Sequence, residues 1–377
     1  MRVRLGDYIK EYSVKNKNNE DIPVYSVSNS LGFCKDYFGK EVASKNKTTY
    51  KIVPRGCFAY NPSRINVGSV DWQNEEERVI VSPLYNVFSV SPLLDQQYLL
   101  YYLKSNVTLS RIRAVASGSV RDNLKLSMLY EFPIDLISLD KQYDVVSTLN
   151  AVQKIIDLYQ KGLSYLDELV RARFVEMFGD ENNSKGWEIV NIEDVANVQV
   201  GVVIKPSQYY TNQDNGIKAF RSLNIGNGYI KDDDWVYFSK EGNKKNKKSI
   251  LSTNDVLVVR SGAPGTACVV TSEYAGSNAI DVIIAHPDFQ KVDSHYLCTY
   301  TNMPHGKSQI IEGTGGAAQQ HFNVGKYNKL KLMLPPLEYQ KQYVKFLEEI
   351  DKSRSRIQKS LEASQELFDS LMQEYFG

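Results

Sequence analysis

The chain has 377 residues, of which 42% are hydrophobic and 24% charged, enough for two or three domains with cores that need no disulfide or metal. Lys plus Arg (45) almost equals Asp plus Glu (44), so the net charge of +1 excludes a uniformly basic nucleic-acid coat and an acidic disordered tail. Any nucleic-acid surface must therefore be local.

The four cysteines are scattered and form no C-x-x-C pair, which predicts reduced, buried thiols in a cytoplasmic protein. No apolar run reaches membrane-spanning length, and Met1–Asp7 has no apolar stretch after its basic residues. Neither a transmembrane helix nor a signal peptide is expected.

In chain order, residues 1–132 read as a mixed, strand-rich globule. Short β-branched runs such as Val79-Ile80-Val81 predict strands, and Tyr98, Leu99, Tyr102 and Leu103 place a short helix near Gln96–Lys104. Residues 133–180 predict one long helix. Val145, Leu149, Val152, Ile156, Tyr159, Leu163, Leu166, Val170, Arg173 and Met177 follow the 4-3 spacing of a coiled-coil seam. Residues 181–334 read as a second globule, with strands at 256–259 and 279–284. Residues 335–377 predict a second long helix, whose seam is Tyr343, Leu347, Ile350, Arg354, Ile357, Leu361, Ser364, Phe368, Leu371 and Tyr375.

The second seam repeats the first 198 residues later. Glu176-Met177-Phe178-Gly179 is matched by Glu374-Tyr375-Phe376-Gly377, and Gly118–Leu124 by Gly316–Phe322. Arg4–Ile9 resembles Asn191–Ala196, and the strand-and-loop stretch Tyr60–Gly68 resembles Leu257–Gly265, which puts Arg64 and Arg260 in matching loops. Lys-Gln-Tyr at 141–143 and at 341–343 implies a two-residue slip. Two helices with one apolar stripe each, in a shared register, are expected to pack on each other. The order is globule, helix, globule, helix, and the fold class is α+β.

No enzyme motif withstands inspection. Asn61-Pro62-Ser63-Arg64 resembles an amino-methyltransferase loop but lacks its final aromatic, and Ser261–Thr266 lacks a Gly-Lys-Ser/Thr phosphate grip. Pro287-Asp288 is followed by no Asp/Glu-x-Lys, and the four histidines show no metal-ligand spacing. The loops suit DNA better. Lys45, Lys47, Arg55, Asn61, Arg64, Asn66, Ser119 and Arg121 are candidates in the first globule. Arg221, Asn224, Lys245, Lys247, Arg260, Ser261, Thr266, Gln319 and Gln320 are their counterparts in the second. Lys and Arg hold phosphates, and Arg, Asn and Gln pair with base edges. The lysine run reads equally well as a solvated charged face.

With Gly186-Trp187-Glu188-Ile189-Val190-Asn191, Leu334-Pro335-Pro336-Leu337-Glu338-Tyr339-Gln340, the two Glu-x-Phe-Gly helix ends and the 60–69 loop in this order, the chain resembles the specificity subunit of a Type I restriction-modification system. Only the second globule opens on a tryptophan, Trp187. The resemblance implies two target-recognition domains joined by two long antiparallel helices. It implies binding to double-stranded DNA at a bipartite target with a nonspecific spacer. It further implies recruitment of two adenine methyltransferase subunits and, in complete systems, two restriction subunits. S-adenosylmethionine would belong to the methyltransferase, and ATP and Mg to the restriction partner. This chain would hold no cofactor and perform no catalysis. The rival readings are a scaffold that binds no DNA and a nuclease centred on Asp281 or Asp288.

Overall fold

The computed structural model describes residues 1–35, 46–116, 123–314 and 322–377. Leu139–Phe178 and Leu337–Phe376 are α-helices of 40 residues each. The chain forms two compact units, Met1–Lys161 with Gln358–Gly377, and Gly162–Ile357. Each long helix thus contributes a part to each unit. The sequence reading set the helices apart as segments 133–180 and 335–377. The packing divides them because their ends are buried in the globules' cores.

The two units share one plan. In the first, a four-stranded antiparallel sheet has the spatial order Ile9–Glu11, Asn86–Val90, Phe58–Tyr60, Val70–Trp72. In the second, the order is Ala196–Val200, Val282–Pro287, Val256–Val259, Ala267–Val269. Each unit also pairs its opening strand with the strand that leads into a long helix. Arg2–Arg4 pairs with Pro133–Asp135, and Glu188–Asn191 with Lys331–Leu334. Residues 133–135, expected to be helical, are therefore a strand, since their backbone groups find partners on Arg2–Arg4. The helix predicted at Gln96–Lys104 has those bounds.

Accessory strands differ between the units. The first has the hairpin Ser26–Ser28/Gly32–Cys34 and the pair Lys51–Pro54/Arg78–Val81. The second has a sheet ordered Tyr210–Thr211, Val236–Phe238, Ile217–Phe220, Asn278–Ala279. The run 279–284, expected as one strand, splits between two sheets. Asp281 sits in the left-handed region (φ 50°), and this breaks the extended backbone.

A buried glutamine anchors each long helix to its globule. Gln142 accepts from Asp95 N–H at 2.8 Å and donates to the carbonyls of Leu93 (3.0 Å) and Ile137 (2.9 Å). Gln340 accepts from Asp293 N–H at 2.8 Å and donates to the carbonyls of Lys291 (3.2 Å) and Pro335 (2.8 Å). All of these partners lie 198 residues apart, so the repeat continues without a slip into the helix starts. The Lys-Gln-Tyr match is coincidental: Tyr143 is exposed, whereas Tyr343 is buried.

On the seam, Leu149, Val152, Ile156 and Ile350 are buried. Leu163, Leu166, Val170, Leu347, Ile357, Leu361, Phe368 and Leu371 are half-buried. Several apolar residues off the seam, Ile155, Leu158, Tyr165 and Leu169 among them, are exposed. Within the second unit the helices run antiparallel. Tyr343 Oη donates to the Val170 carbonyl (3.2 Å), Arg354 pairs with Asp167 (2.6 Å), and Ile357 lies beside Gly162. The seam reading fails at the end of the first helix. There Phe174 and Phe178 are fully buried in place of Arg173 and Met177. Those residues pack on Tyr296 and Tyr343 in the globule's core, where the straight 3.6-residue period governs rather than the coiled-coil period.

Candidate nucleic-acid interface

In the first unit the sheet strand Phe58–Tyr60 ends in a tight turn. Asn61 Oδ1 accepts from Ser63 N–H (3.1 Å) and Ser63 Oγ (2.9 Å), and Gly68 closes the turn with φ 88°. Asn61 is thereby used in shaping the loop. Arg64 is exposed, and its guanidinium has no hydrogen bond or ion pair among the described residues. The Asn66 carbonyl accepts from Arg113 Nε (3.3 Å). Leu124 N–H donates to the Pro62 carbonyl (3.0 Å), so the chain that follows residues 117–122 is fixed beside this turn.

The second unit repeats the arrangement with different side chains. Phe322 N–H donates to the Arg260 carbonyl (3.1 Å), the bond equivalent to that of Leu124 with Pro62. Arg260 therefore corresponds to Pro62 and not to Arg64, contrary to the sequence alignment. Its side chain is only 14% exposed. It is ion-paired with Asp281 and donates through Nε to the Phe322 carbonyl (3.1 Å). Arg260 braces the loop, and Asp281 is consumed by that brace. Ser261 and Thr266 are half-buried on the same loop, where Thr266 N–H bonds the Ala263 carbonyl (3.2 Å).

The lysine run owes its exposure to the polar residues between the lysines. In Asn243-Lys244-Lys245-Asn246-Lys247-Lys248-Ser249, Asn243 and Ser249 are buried. Asn278 ties them together, donating to Asn243 Oδ1 (2.7 Å) and accepting from Ser249 Oγ (2.6 Å). Asn246 Nδ2 bonds the Gly242 carbonyl (2.8 Å). Every third residue thus faces inward, and Lys244, Lys245, Lys247 and Lys248 stay at the surface. Lys245 and Lys247 have no ion pair among the described residues.

Other candidates have local partners. Asn224 is buried, accepting from Arg221 N–H (2.9 Å) and donating to the Asp233 carbonyl (2.8 Å). Arg221 pairs with Asp234 (3.1 Å). Arg55 bonds the Glu75 and Glu76 carbonyls, and Lys47 faces Asp21 at 3.7 Å. A local carboxylate or carbonyl lies beside each of these cations, a placement that sequence spacing does not reveal. Lys45, Ser119, Arg121, Gln319 and Gln320 lie outside the described residues.

The sequence reading missed the hairpin tip Asn29–Leu31. Lys104 Nζ donates to the Asn29 carbonyl (3.5 Å), and a Cβ built on Gly68 would lie 2.5 Å from Asn29 Oδ1, so the tip meets the 61–68 turn. Asp71 Oδ2 accepts from Phe33 N–H at 3.0 Å, anchoring the hairpin to the strand after the turn. Burial pushes the Asp71 carboxyl up and the Lys104 amine down, while the opposite charge of each works against its partner's shift. The sequence signal was the turn composition of Ser28-Asn29-Ser30-Leu31-Gly32 between alternating strands. No group of three or more His, Cys, Asp or Glu side chains among the described residues is placed to hold a metal ion. No helix among them is long and apolar enough to cross a membrane.

The family described as the Type I restriction modification DNA specificity domain matches this chain twice, over residues 4–166 and 184–365. The specificity subunit of the Type I restriction enzyme MjaVIII from Methanocaldococcus jannaschii is 21% identical, with 93% of this chain and 85% of that protein covered. The fold resembles that of a chain solved in work on complex assembly and conformational transition of the type I R-M system. That likeness has a TM-score of 0.62 at 14% identity, covering 100% of this chain and 97% of the other. It also resembles the Type I restriction-modification system S subunit from M. genitalium, with a TM-score of 0.57 at 14% identity and coverage of 100% and 96%. With both repeats matched and nearly the whole length covered, the chain belongs to the Type I restriction modification DNA specificity family.

Proposed function

We propose that this chain is the sequence-reading, non-catalytic subunit of a Type I restriction-modification complex. The observation that carries this reading is the double match to the specificity domain, on two units of one plan whose exposed loops differ. Each unit reads one half of a bipartite duplex target, and the different loops make the half-sites different. The globules at 1–132 and 181–334 are the target-recognition domains. The long helices set the spacer between half-sites and dock two adenine methyltransferase subunits and, in complete systems, two restriction subunits. Methyl transfer and cleavage, with their S-adenosylmethionine, ATP and Mg, lie in those partners, and the complex works in the cytoplasm.

Within the recognition surface, Arg64 and Asn66 in the first unit and Lys245 and Lys247 in the second make DNA contacts. Arg260 positions its loop without touching a base. Mapping adenine methylation across the host genome with and without this gene tests the function. A split motif that disappears on deletion is the expected result. An unchanged methylation pattern in a host whose methyltransferase is active counts against it.

A further inference from the structure

The first unit presents an exposed surface of mixed chemistry that a phosphate contact alone does not explain. Arg64 is exposed with no partner among the described residues, and two large exposed apolar residues lie on its own turn and on the hairpin tip that meets that turn. Val67 is 50% exposed on the same turn, and Leu31 is 67% exposed at the tip of the adjoining hairpin. Each loop is closed by a hydrogen bond of its own. Leu31 N–H donates to Ser28 Oγ (2.9 Å), and Gly68 N–H donates to the Ile65 carbonyl (2.9 Å). Asn29 bridges the loops, its side chain against Gly68 and its carbonyl on Lys104 (3.5 Å).

A guanidinium with no partner among the described residues offers the fork of donors that matches guanine O6 and N7 in the major groove, and exposed aliphatic groups match the thymine C5-methyl. We propose that Arg64, Leu31 and Val67 form one reading edge, in which Arg64 selects a guanine and the two aliphatic side chains select a neighbouring thymine by its methyl group. The proposal rests on the DNA-reading function above and assigns its chemistry to one half-site. The second unit lacks the equivalent arrangement. Gly262 stands where Arg64 does, and Arg260 is locked to Asp281.

Base analogues test this edge. The complex purified from its host through a tag on this chain is allowed to select a duplex from a random-sequence library. That duplex is then resynthesised with 7-deazaguanine or deoxyuridine at single positions. For the wild type, one guanine replacement in one half-site should weaken binding roughly five- to hundred-fold. The deoxyuridine beside it should weaken binding about four-fold, as expected for one buried methyl. Arg64→Ala should become insensitive to the guanine analogue and remain sensitive to deoxyuridine. The double variant Leu31→Ser/Val67→Ser should show the reverse. All three residues are exposed, so the variants should unfold with the wild type, and the thermal midpoint checks this. A selected motif whose analogue sensitivities are unchanged in both variants overturns the proposed edge and leaves the DNA-reading function standing. Failure of the wild type to select any motif overturns that function as well.

Discussion

Gln142 and Gln340 show how one buried amide can define a helix start. Each satisfies one backbone N–H and two carbonyls at the junction between globule and helix. Replacing Gln142 with Leu keeps the volume but leaves those three groups without partners. At about 1–3 kcal/mol per buried unsatisfied group, partly relieved by relaxation, Gln142→Leu should destabilise the first unit by about 3 kcal/mol, measured by urea unfolding. Gln340→Leu should do the same to the second unit. Cysteine reactivity gives a second check at this scale. Burial raises the Cys57 and Cys268 thiols and pushes Cys298 up to about 12, while Cys34 is half-buried near the surface. A raised thiol carries little nucleophilic thiolate at pH 8, and burial blocks access to it. Native protein should therefore release one equivalent of thiol to a disulfide reagent at pH 8, from Cys34, and four after denaturation. Rapid release of two or more from native protein would contradict the buried placements.

Among the elements, the long helices are legible in sequence because their apolar spacing persists for most of their 40 residues. Gly162 is the weak point of the first. A Cβ there would meet only Ile357 Cδ1, at an ordinary contact distance of 3.7 Å. Gly162→Ala should therefore stabilise the protein by about 1 kcal/mol through helix propensity, seen as a rise in thermal midpoint. No rise would mean that the helix needs its glycine for a closer approach than this structure has. The ends of the helices were harder to read. Phe174 and Phe178 lie four residues apart and pack against Tyr296 and Tyr343, mostly edge to face, so the buried stripe drifts away from the coiled-coil positions. A pattern of apolar letters does not reveal whether a helix faces another helix or a sheet-backed core.

At the scale of the molecule, the proposed ruler depends on helix length. Four residues inserted into each long helix between its two unit segments add about 6 Å at about 1.5 Å per residue. The spacer of the methylated motif should then lengthen by about two base pairs, each about 3.4 Å along the duplex. Both half-sites should stay the same. Methylation mapping reads this directly, and an unchanged spacer would count against the ruler.

By itself the sequence determined the repeat, the two long helices, the mixed α+β globules and the family resemblance. All of these rest on periodic or ordered features along the chain. Local regularities such as Asn61-Pro62-Ser63 were equally visible, because a turn is set by neighbouring residues. Only the tertiary structure decided which charged side chains are available to a partner. Arg64 and Arg260 look alike in sequence, yet Asp281, 21 residues beyond Arg260, claims the second and leaves the first exposed. The same holds for Leu31, whose hairpin reaches the 61–68 turn only through the fold. Availability depends on which groups come within a few ångströms across long stretches of chain, and spacing along the sequence does not encode that distance.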